Sequence, residues 1–330
     1  MKKIIILLLV ASMLLTGCGK SINPKRVINQ FIKQYDKSSG YRLKGNLSIH
    51  NNDDVYHYDI EVCYQKENHY KVVLKNTSNQ HTQIILKNDD GVYVLTPAFN
   101  KSFKFQSDWP YQNSQIYLID AIIHDIKNDK DVRIRAKDDY YVVQSSVLYP
   151  NNSKLKKQKI IFDNHSNLKK VVVYDENGID CMTMNFDKIE FSPKLSSNDF
   201  KIDNIMDSSR EEVEETGSLD DIIYPLFLPE GTKLVDEENV PKENGKRVIM
   251  NYDGEKSFLL VEETTDVFQD LTIIPSVGEP LLLMGTMGVQ TDNSLSWSSG
   301  GVDFYLVSDV MSMDEMIEVA QSLGTVTSMK

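Results

Sequence analysis

The sequence predicts a mainly β protein of the α+β class: a curled antiparallel sheet of about eleven strands under helices, followed by a small α+β domain. Three observations carry the prediction. Apolar residues alternate with period two through most of residues 41–190, turn signals punctuate that alternation at short intervals, and the few stretches of helical periodicity are amphipathic. With 330 residues, 41% of them hydrophobic, the chain is long enough for two cores.

The first residues read as a targeting segment. Lys2 and Lys3 precede an apolar run from Ile4 to Leu15, too short to span a bilayer. Leu15-Thr16-Gly17-Cys18 follows at once and resembles the lipobox of bacterial lipoproteins. The expectation is a signal peptide over 1–17, cleavage before Cys18, and a diacylglycerol on its thiol. Each buried lipid CH₂ contributes roughly 0.8 kcal/mol, so two or three chains anchor durably. No later stretch approaches transmembrane length, so lipidated Cys18 is the expected membrane attachment, on the extracytoplasmic face of the cell membrane.

Residues 18–23 are then a short tether. Asn23-Pro24 opens a helix with the stripe Val27, Ile28, Phe31, Ile32 and Tyr35, stopped by Ser38-Ser39-Gly40. Clean alternation follows in Tyr41-x-Leu43-x-Gly45-x-Leu47-x-Ile49, then in Tyr56, Tyr58, Ile60, Val62 and Tyr64. Further strands read at about 69–75, 82–88, 91–96, 101–106, 132–137, 140–148, 158–163, 168–174 and 180–190. A helical insert at about 114–127 carries Ile116, Ile119, Ile122, Ile123 and Ile126 on one side. A meander of this kind curls, and the two helices are the available cover for its apolar face. This domain spans 24–204.

Residues 205–222, with Glu211-Glu212-Val213-Glu214-Glu215, read as an acidic solvated linker. The domain over 223–330 has strands at about 232–236, 246–252, 257–262, 271–274, 281–284, 287–291, 294–298 and 302–308. Its last helix opens on a Ser312-x-x-Glu315 capping box, with Gly324 as its expected stop. Charge separates the two halves. Residues 18–209 hold 27 Lys+Arg and 24 Asp+Glu, whereas 210–330 hold 7 and 24, a net of −17. That balance argues against nucleic acid as a partner of the second domain, because phosphate is repelled.

Catalytic patterns are missing. There is no G-x-S-x-G elbow, P-loop, H-E-x-x-H or C-x-x-C, and no two of the six histidines stand at metal spacing. The expectation is a non-enzyme with no cofactor and no metal. Cys63 and Cys181 are either a disulfide or two free thiols. The apolar sheet face supplies candidate ligand-binding residues for an acyl lipid or hydrophobic peptide: Leu43, Leu47, Tyr56, Tyr58, Ile60, Val62, Phe103, Phe105 and Trp109. The same face could equally be filled core. Lys154, Lys156, Lys157, Lys159, Lys169 and Lys170 form a basic cluster suited to anionic head groups or wall polymers, or simply a soluble rim.

The segment Leu95-Thr96-Pro97-Ala98-Phe99-Asn100-Lys101-Ser102-Phe103-Lys104-Phe105-Gln106-Ser107-Asp108-Trp109-Pro110, followed by Ser114-Gln115-x-Tyr117-Leu118, resembles a signature of lipoproteins from spore-forming Gram-positive bacteria. That family is similar to the outer-membrane lipoprotein carrier (LolA-like) superfamily. The resemblance covers about residues 20–205 and implies an incomplete antiparallel β-barrel of eleven strands closed by helices. Leu228-Pro229-x-Gly231, Leu295-x-Trp297 and Ala320-Gln321-Ser322-Leu323 resemble, more weakly, the small domain that follows it in related envelope sensors. The implied role is a membrane-tethered binding module in sporulation or envelope maintenance, with an envelope protein as partner. The alternative is a scaffold or sensor partner of a cell-wall enzyme or envelope regulator. A tether of five residues after Cys18 is too short for shuttling, so holding is expected in place of carrying.

Overall fold

The computed structural model describes residues 24–327 except 52–53, 67, 111–113, 138, 150–151, 210–218, 220–221 and 284–285. The signal peptide, Cys18, its tether and most of the linker lie outside the described residues.

Helix α1 (Pro24–Lys37) buries Val27, Ile28 and Phe31 on the stripe read from the sequence. Six strands follow: β1 (Gly40–Asn51), β2 (Asp54–Gln65), β3 (His69–Asn76), β4 (Thr82–Asn88), β5 (Gly91–Thr96) and β6 (Lys101–Phe105). Helix α2 (Ile119–Asn128) interrupts them, and β7 (Arg133–Lys137), β8 (Tyr140–Ser146), β9 (Leu155–Asp163), β10 (Leu168–Asp175) and β11 (Asp180–Phe191) complete the set. The helical insert is shorter than expected: Ile116 and Tyr117 are buried in a separate turn before α2, closed by the Leu118 N–H on the Gln115 carbonyl, not in its first helical turn. Strand β1 pairs with both β2 and β11, so the meander folds back on itself and leaves β7 at one edge. The sheet is open, not a closed barrel. The register of β1 on β11 shifts between Lys44 and Gly45. A Cβ on Gly45 would lie 2.0 Å from the Asn185 carbonyl oxygen, so only glycine permits this close approach.

The concave face holds the main core: Tyr41, Leu43, Leu47, Val62, Val72, Ile160, Phe162 and Val173 are all fully or almost fully buried there. Helix α2 closes over it through a buried carboxylate. The Tyr41 hydroxyl donates to Asp120 Oδ1 at 3.0 Å and the Tyr70 hydroxyl to Oδ2 at 2.8 Å. Burial raises the Asp120 carboxyl above its usual range, and the two tyrosine hydrogen bonds oppose that rise.

The convex face is not simply wet. Residues 205–208, expected at the start of the linker, belong to helix α3 (Ile202–Ser208). Phe200, Ile205 and Met206 pack on Cys63, Ile84, Leu86, Tyr93 and Leu95, a second core on the outer side of the sheet. The preceding turn is closed by Ser196 and Asp199, whose side chains cap each other's backbone. Cys63 and Cys181 are free: Cys63 stands opposite Arg42, whereas Cys181 adjoins Met182, the partner of Ile49, seven residues further along β1.

The second module forms a seven-stranded sheet from β12 (Lys233–Lys242), β13 (Gly245–Asp253), β14 (Phe258–Thr264), β16 (Glu279–Leu283), β17 (Thr286–Gln290), β18 (Ser294–Ser299) and β19 (Val302–Val307). Helix α4 (Met313–Thr327) covers it. The Ser312–Glu315 capping box is formed, with the Ser312 N–H donating to Glu315 at 2.8 Å. Gly324 does not stop the helix, which continues to Thr327.

One strand departs from its expected place. β15 (Thr272–Ser276) leaves the second module and pairs in parallel with β6, extending the large sheet to twelve strands. Asn100 secures the crossing: its Nδ2 donates to the Phe268 carbonyl at 2.7 Å and its carbonyl accepts from Thr272 N–H at 2.9 Å. Beside it, Lys101 Nζ meets Asp303 Oδ2 at 2.9 Å, with both side chains less than a tenth exposed. Thr265 and Ser298 hydroxyls also donate to Asp303. The modules are therefore joined by a sheet edge and a buried, hydrogen-bonded ion pair.

Removing one member of such a pair strands the other charge. Lys101→Ala is expected to cost about 3–5 kcal/mol in urea unfolding. Adding Asp303→Asn should recover part of that loss. A loss below about 1 kcal/mol would show that the pair does not secure the joint.

Candidate functional site

The joint creates a cavity of about 130 Å³. Its walls come from both modules. The large sheet contributes Ile49, Cys181, Met182 and Leu155, and the approach to α2 adds Ile116 and Tyr117. The second module contributes Pro280, Leu281, Leu282, Leu283 and Met287 from the β16–β17 hairpin, and Ile317 with Gln321 from α4. Most of these walls are apolar. The hairpin also reaches the first core, where Met287, Leu282 and Val289 pack.

Polar contacts hold the cavity's rim. Gln83 Oε1 accepts from Met287 N–H and from the Thr286 hydroxyl. Ser153 bonds Asp314, and Lys154 pairs with Glu318, both across to α4. The basic cluster expected over Lys154–Lys170 is thus divided, since Lys154 is committed to the joint. On one flank Asp125 accepts from the Ser114 hydroxyl at 3.0 Å and from Gln158 Nε2 at 2.9 Å. Burial pushes the Asp125 carboxyl up to about 6, against the lowering effect of those hydrogen bonds. Tyr149, on the cavity wall, is likewise raised by burial.

The nine sequence-derived candidates gather on one face, as their alternation implies. Leu43, Leu47, Tyr58, Ile60, Val62, Phe105 and Trp109 are at most 3% exposed and pack in the core beneath α1 and α2. Tyr56 and Phe103 are half-buried against the same core. Of the nine, Trp109 lines the inter-module cavity. Phe103 lines a crevice of about 30 Å³ between the sheets, and Tyr58 another of similar size. The hairpin and α4 residues were not among the candidates. The run Pro280-Leu281-Leu282-Leu283 was the available signal, four apolar residues in a strand expected to alternate. Among the described residues, no group of three His, Cys, Asp or Glu side chains is placed to hold a metal ion. No helix among them is long and apolar enough to cross a membrane.

Residues 1–200 match the family model described as sporulation protein YdcC-like. Over 321 residues the chain is 34% identical to the sporulation protein YdcC of Bacillus subtilis (strain 168), covering 96% of this chain and 94% of that protein. Solved structures are more distant. The MucA/MucB complex of Pseudomonas aeruginosa matches at 12% identity and a TM-score of 0.32, over 88% of this chain and 97% of that one. A LolA superfamily protein of Nitrosomonas europaea matches at 12% identity and 0.31, over 56% and 99%. The structure of the CwlD amidase of Clostridioides difficile with the GerS lipoprotein matches at 16% identity and 0.24, over 53% and 99%.

A carboxyl raised in the folded state binds its proton more tightly there than in the unfolded chain. Asp125 therefore adds stability as pH falls from neutral through about 6, and removes it as pH rises through the same window. Between about pH 7.5 and about pH 5, the melting midpoint of the wild type should gain roughly 2–4 °C over that of Asp125→Asn, the shift expected for about 1 kcal/mol. Identical pH profiles for the two would contradict the assignment.

Proposed function

This chain belongs to the YdcC-like sporulation protein family, and from that premise we propose that it is a non-catalytic binding module. In this reading it is held on the extracytoplasmic face of the cell membrane by lipid on Cys18, and it acts in spore formation. The order of Lys2-Lys3, Ile4–Leu15 and Leu15-Thr16-Gly17-Cys18 supports the anchor. The observation that carries the binding role is the apolar cavity at the module joint.

Its size selects among ligands. Sites that engulf a drug-sized molecule run to about 300–1,000 Å³. A cavity of about 150 Å³ lined by aliphatic groups takes one benzene. At about 130 Å³ the pocket suits one large apolar side chain from a partner protein, or the end of an acyl chain, not a whole lipid. An envelope protein that inserts such a side chain is the partner this reading favours. Acyl-lipid capture is the narrower alternative.

Two variants in a sporulating host test the reading. Leu281→Trp fills the pocket; the chain should stay folded and in the membrane fraction, yet spore formation should fall about as far as in a deletion. Cys18→Ala should leave both modules folded, release the chain from the membrane and give the same loss. Normal spore formation with Leu281→Trp would overturn the pocket's role. Normal spore formation with a soluble Cys18→Ala chain would overturn the anchor's.

A further inference from the structure

Among the described residues the two sheets end in four edge strands, β7, β15, β12 and β16, and one of them differs from the rest. β7, β15 and β16 have five residues each, and Pro275 in β15 and Pro280 in β16 give no N–H to a neighbour. β12 has ten residues and bonds to β13 alone. Its register on β13 shifts between Leu234 and Asp236, which leaves Val235 bulged, and Pro241 closes the far end. Asp236 to Val240 is the regular run between them, paired in step with Asn251 to Arg247 of β13. The pocket is bounded by β16, at the other end of the same sheet.

Two kinds of surface meet along β12. The segment 222–231 that leads into it is pinned at Tyr224, whose hydroxyl donates to Glu237 Oε2 at 2.7 Å. No backbone hydrogen bond joins that segment to β12 among the described residues. Leu226 is 72% exposed, and Tyr224, Phe227, Leu234 and Val235 are exposed with it. Past this apolar end the strand is acidic. Asp236 and Glu238 project from the face that carries Asn251 and Ile249, and Glu237 from the other. Glu230, Glu243, Asp253 and Glu255 are exposed around them. The cations nearby are mostly committed: Lys242 to Glu263, Asp266 and the Thr264 carbonyl, Arg247 to Glu263, and Lys256 to Glu315. Lys233 and Lys246 are the exposed lysines that face these carboxylates.

We propose that the β12 edge is a docking surface separate from the pocket, and that it takes an extended, cationic segment of a partner protein as an added strand. The free backbone groups of the edge supply the ladder, and the carboxylates select what joins it. Like charges set opposite each other disfavour pairing, so a second copy of this chain is repelled where Asp236, Glu237 and Glu238 would meet their own counterparts. Lys or Arg at two alternate positions of an incoming strand faces Asp236 and Glu238, because successive side chains point to opposite sides. A large apolar side chain beyond that pair meets Leu226, Phe227 and Val235. The bulge at Val235 and the ring of Pro241 limit the added strand to the run between them. This contact does not depend on what fills the pocket.

The test uses the full-length chain in detergent micelles and three short labelled peptides. One alternates Lys with Val and ends in Phe, one has the same charge with Pro in place of its central Val residues, and one carries Glu in place of Lys. The Lys–Val peptide should bind about tenfold more tightly than either of the others. It should also slow amide hydrogen exchange several-fold at 236–240 and leave 279–283 unchanged. The exposed double variant D236K/E238K should keep the wild-type circular dichroism and prefer the Glu peptide. Leu281→Trp should bind the Lys–Val peptide as the wild type does, so failure of the pocket and failure of this edge are read separately. Equal binding of the Pro peptide would reduce the contact to general attraction of cations and overturn strand addition. Unchanged exchange at 236–240 with the Lys–Val peptide would overturn the edge as the site. Slower exchange there on raising the protein concentration alone, with a dimer in sedimentation, would assign the edge to a second copy and overturn the cationic partner.

Discussion

A sheet that curls without closing leaves one apolar face and two edges exposed, and the architecture of this protein follows from covering that face and one of those edges. Eleven strands of the first module bury side chains such as Leu43, Ile160 and Phe162 on the concave side, where α1 and α2 lie. That cover is incomplete at the end where Ile49 and Met182 stand. The β16–β17 hairpin supplies the missing part, and β15 blocks the β6 edge that would otherwise offer an unpaired ladder. The second module is thus part of the first module's packing. The Lys101–Asp303 pair is the polar price of burying that joint, and Thr265 and Ser298 complete its hydrogen bonding.

The same constraint locates the pocket. Where the β16–β17 hairpin meets the end of the large sheet the contact is not fully filled, and the remaining space is lined mostly by apolar side chains from a sheet end, a hairpin and a helix, with His50, Gln115, Asn152 and Gln321 among them. Tethering polar contacts surround it, among them Ser153 with Asp314 and Lys154 with Glu318. The chemistry available is chiefly shape and apolar contact, with polar groups from His50, Gln115, Asn152 and Gln321 beside it. A raised carboxyl at Asp125 sits on the flank, engaged with Ser114 and Gln158, and serves the wall's geometry.

Local pattern made most of the large sheet legible. Period-two alternation placed β1 to β11 within a few residues, because one face of each strand is buried and the other largely wet. It failed where both faces are buried. Ile84, Leu86, Tyr93 and Leu95 are on the convex side, and the second half of their cover, residues 205–208 of α3, reads as linker because Asp207 and the following glutamates dominate the composition. The spacing of Ile202, Ile205 and Met206 was the overlooked signal. The pocket was less accessible still. Ile49, Trp109, Leu281 and Ile317 meet only through contacts that span most of the chain, and no local periodicity encodes them. β15 was legible as a strand, but its partner was not, since pairing with β6 depends on the path of the connection through Phe268.

The central claim is that the two modules form one cooperative unit with the pocket at their joint. The chain's two tryptophans report on them separately: Trp109 sits in the large sheet's core and Trp297 in the second module. In Trp297→Phe and Trp109→Phe variants, urea unfolding followed by the remaining tryptophan should coincide with unfolding followed by far-UV circular dichroism, in a single transition. Two separated transitions, with each tryptophan following a different one, would show that the modules fold independently and that the joint is only a loose contact.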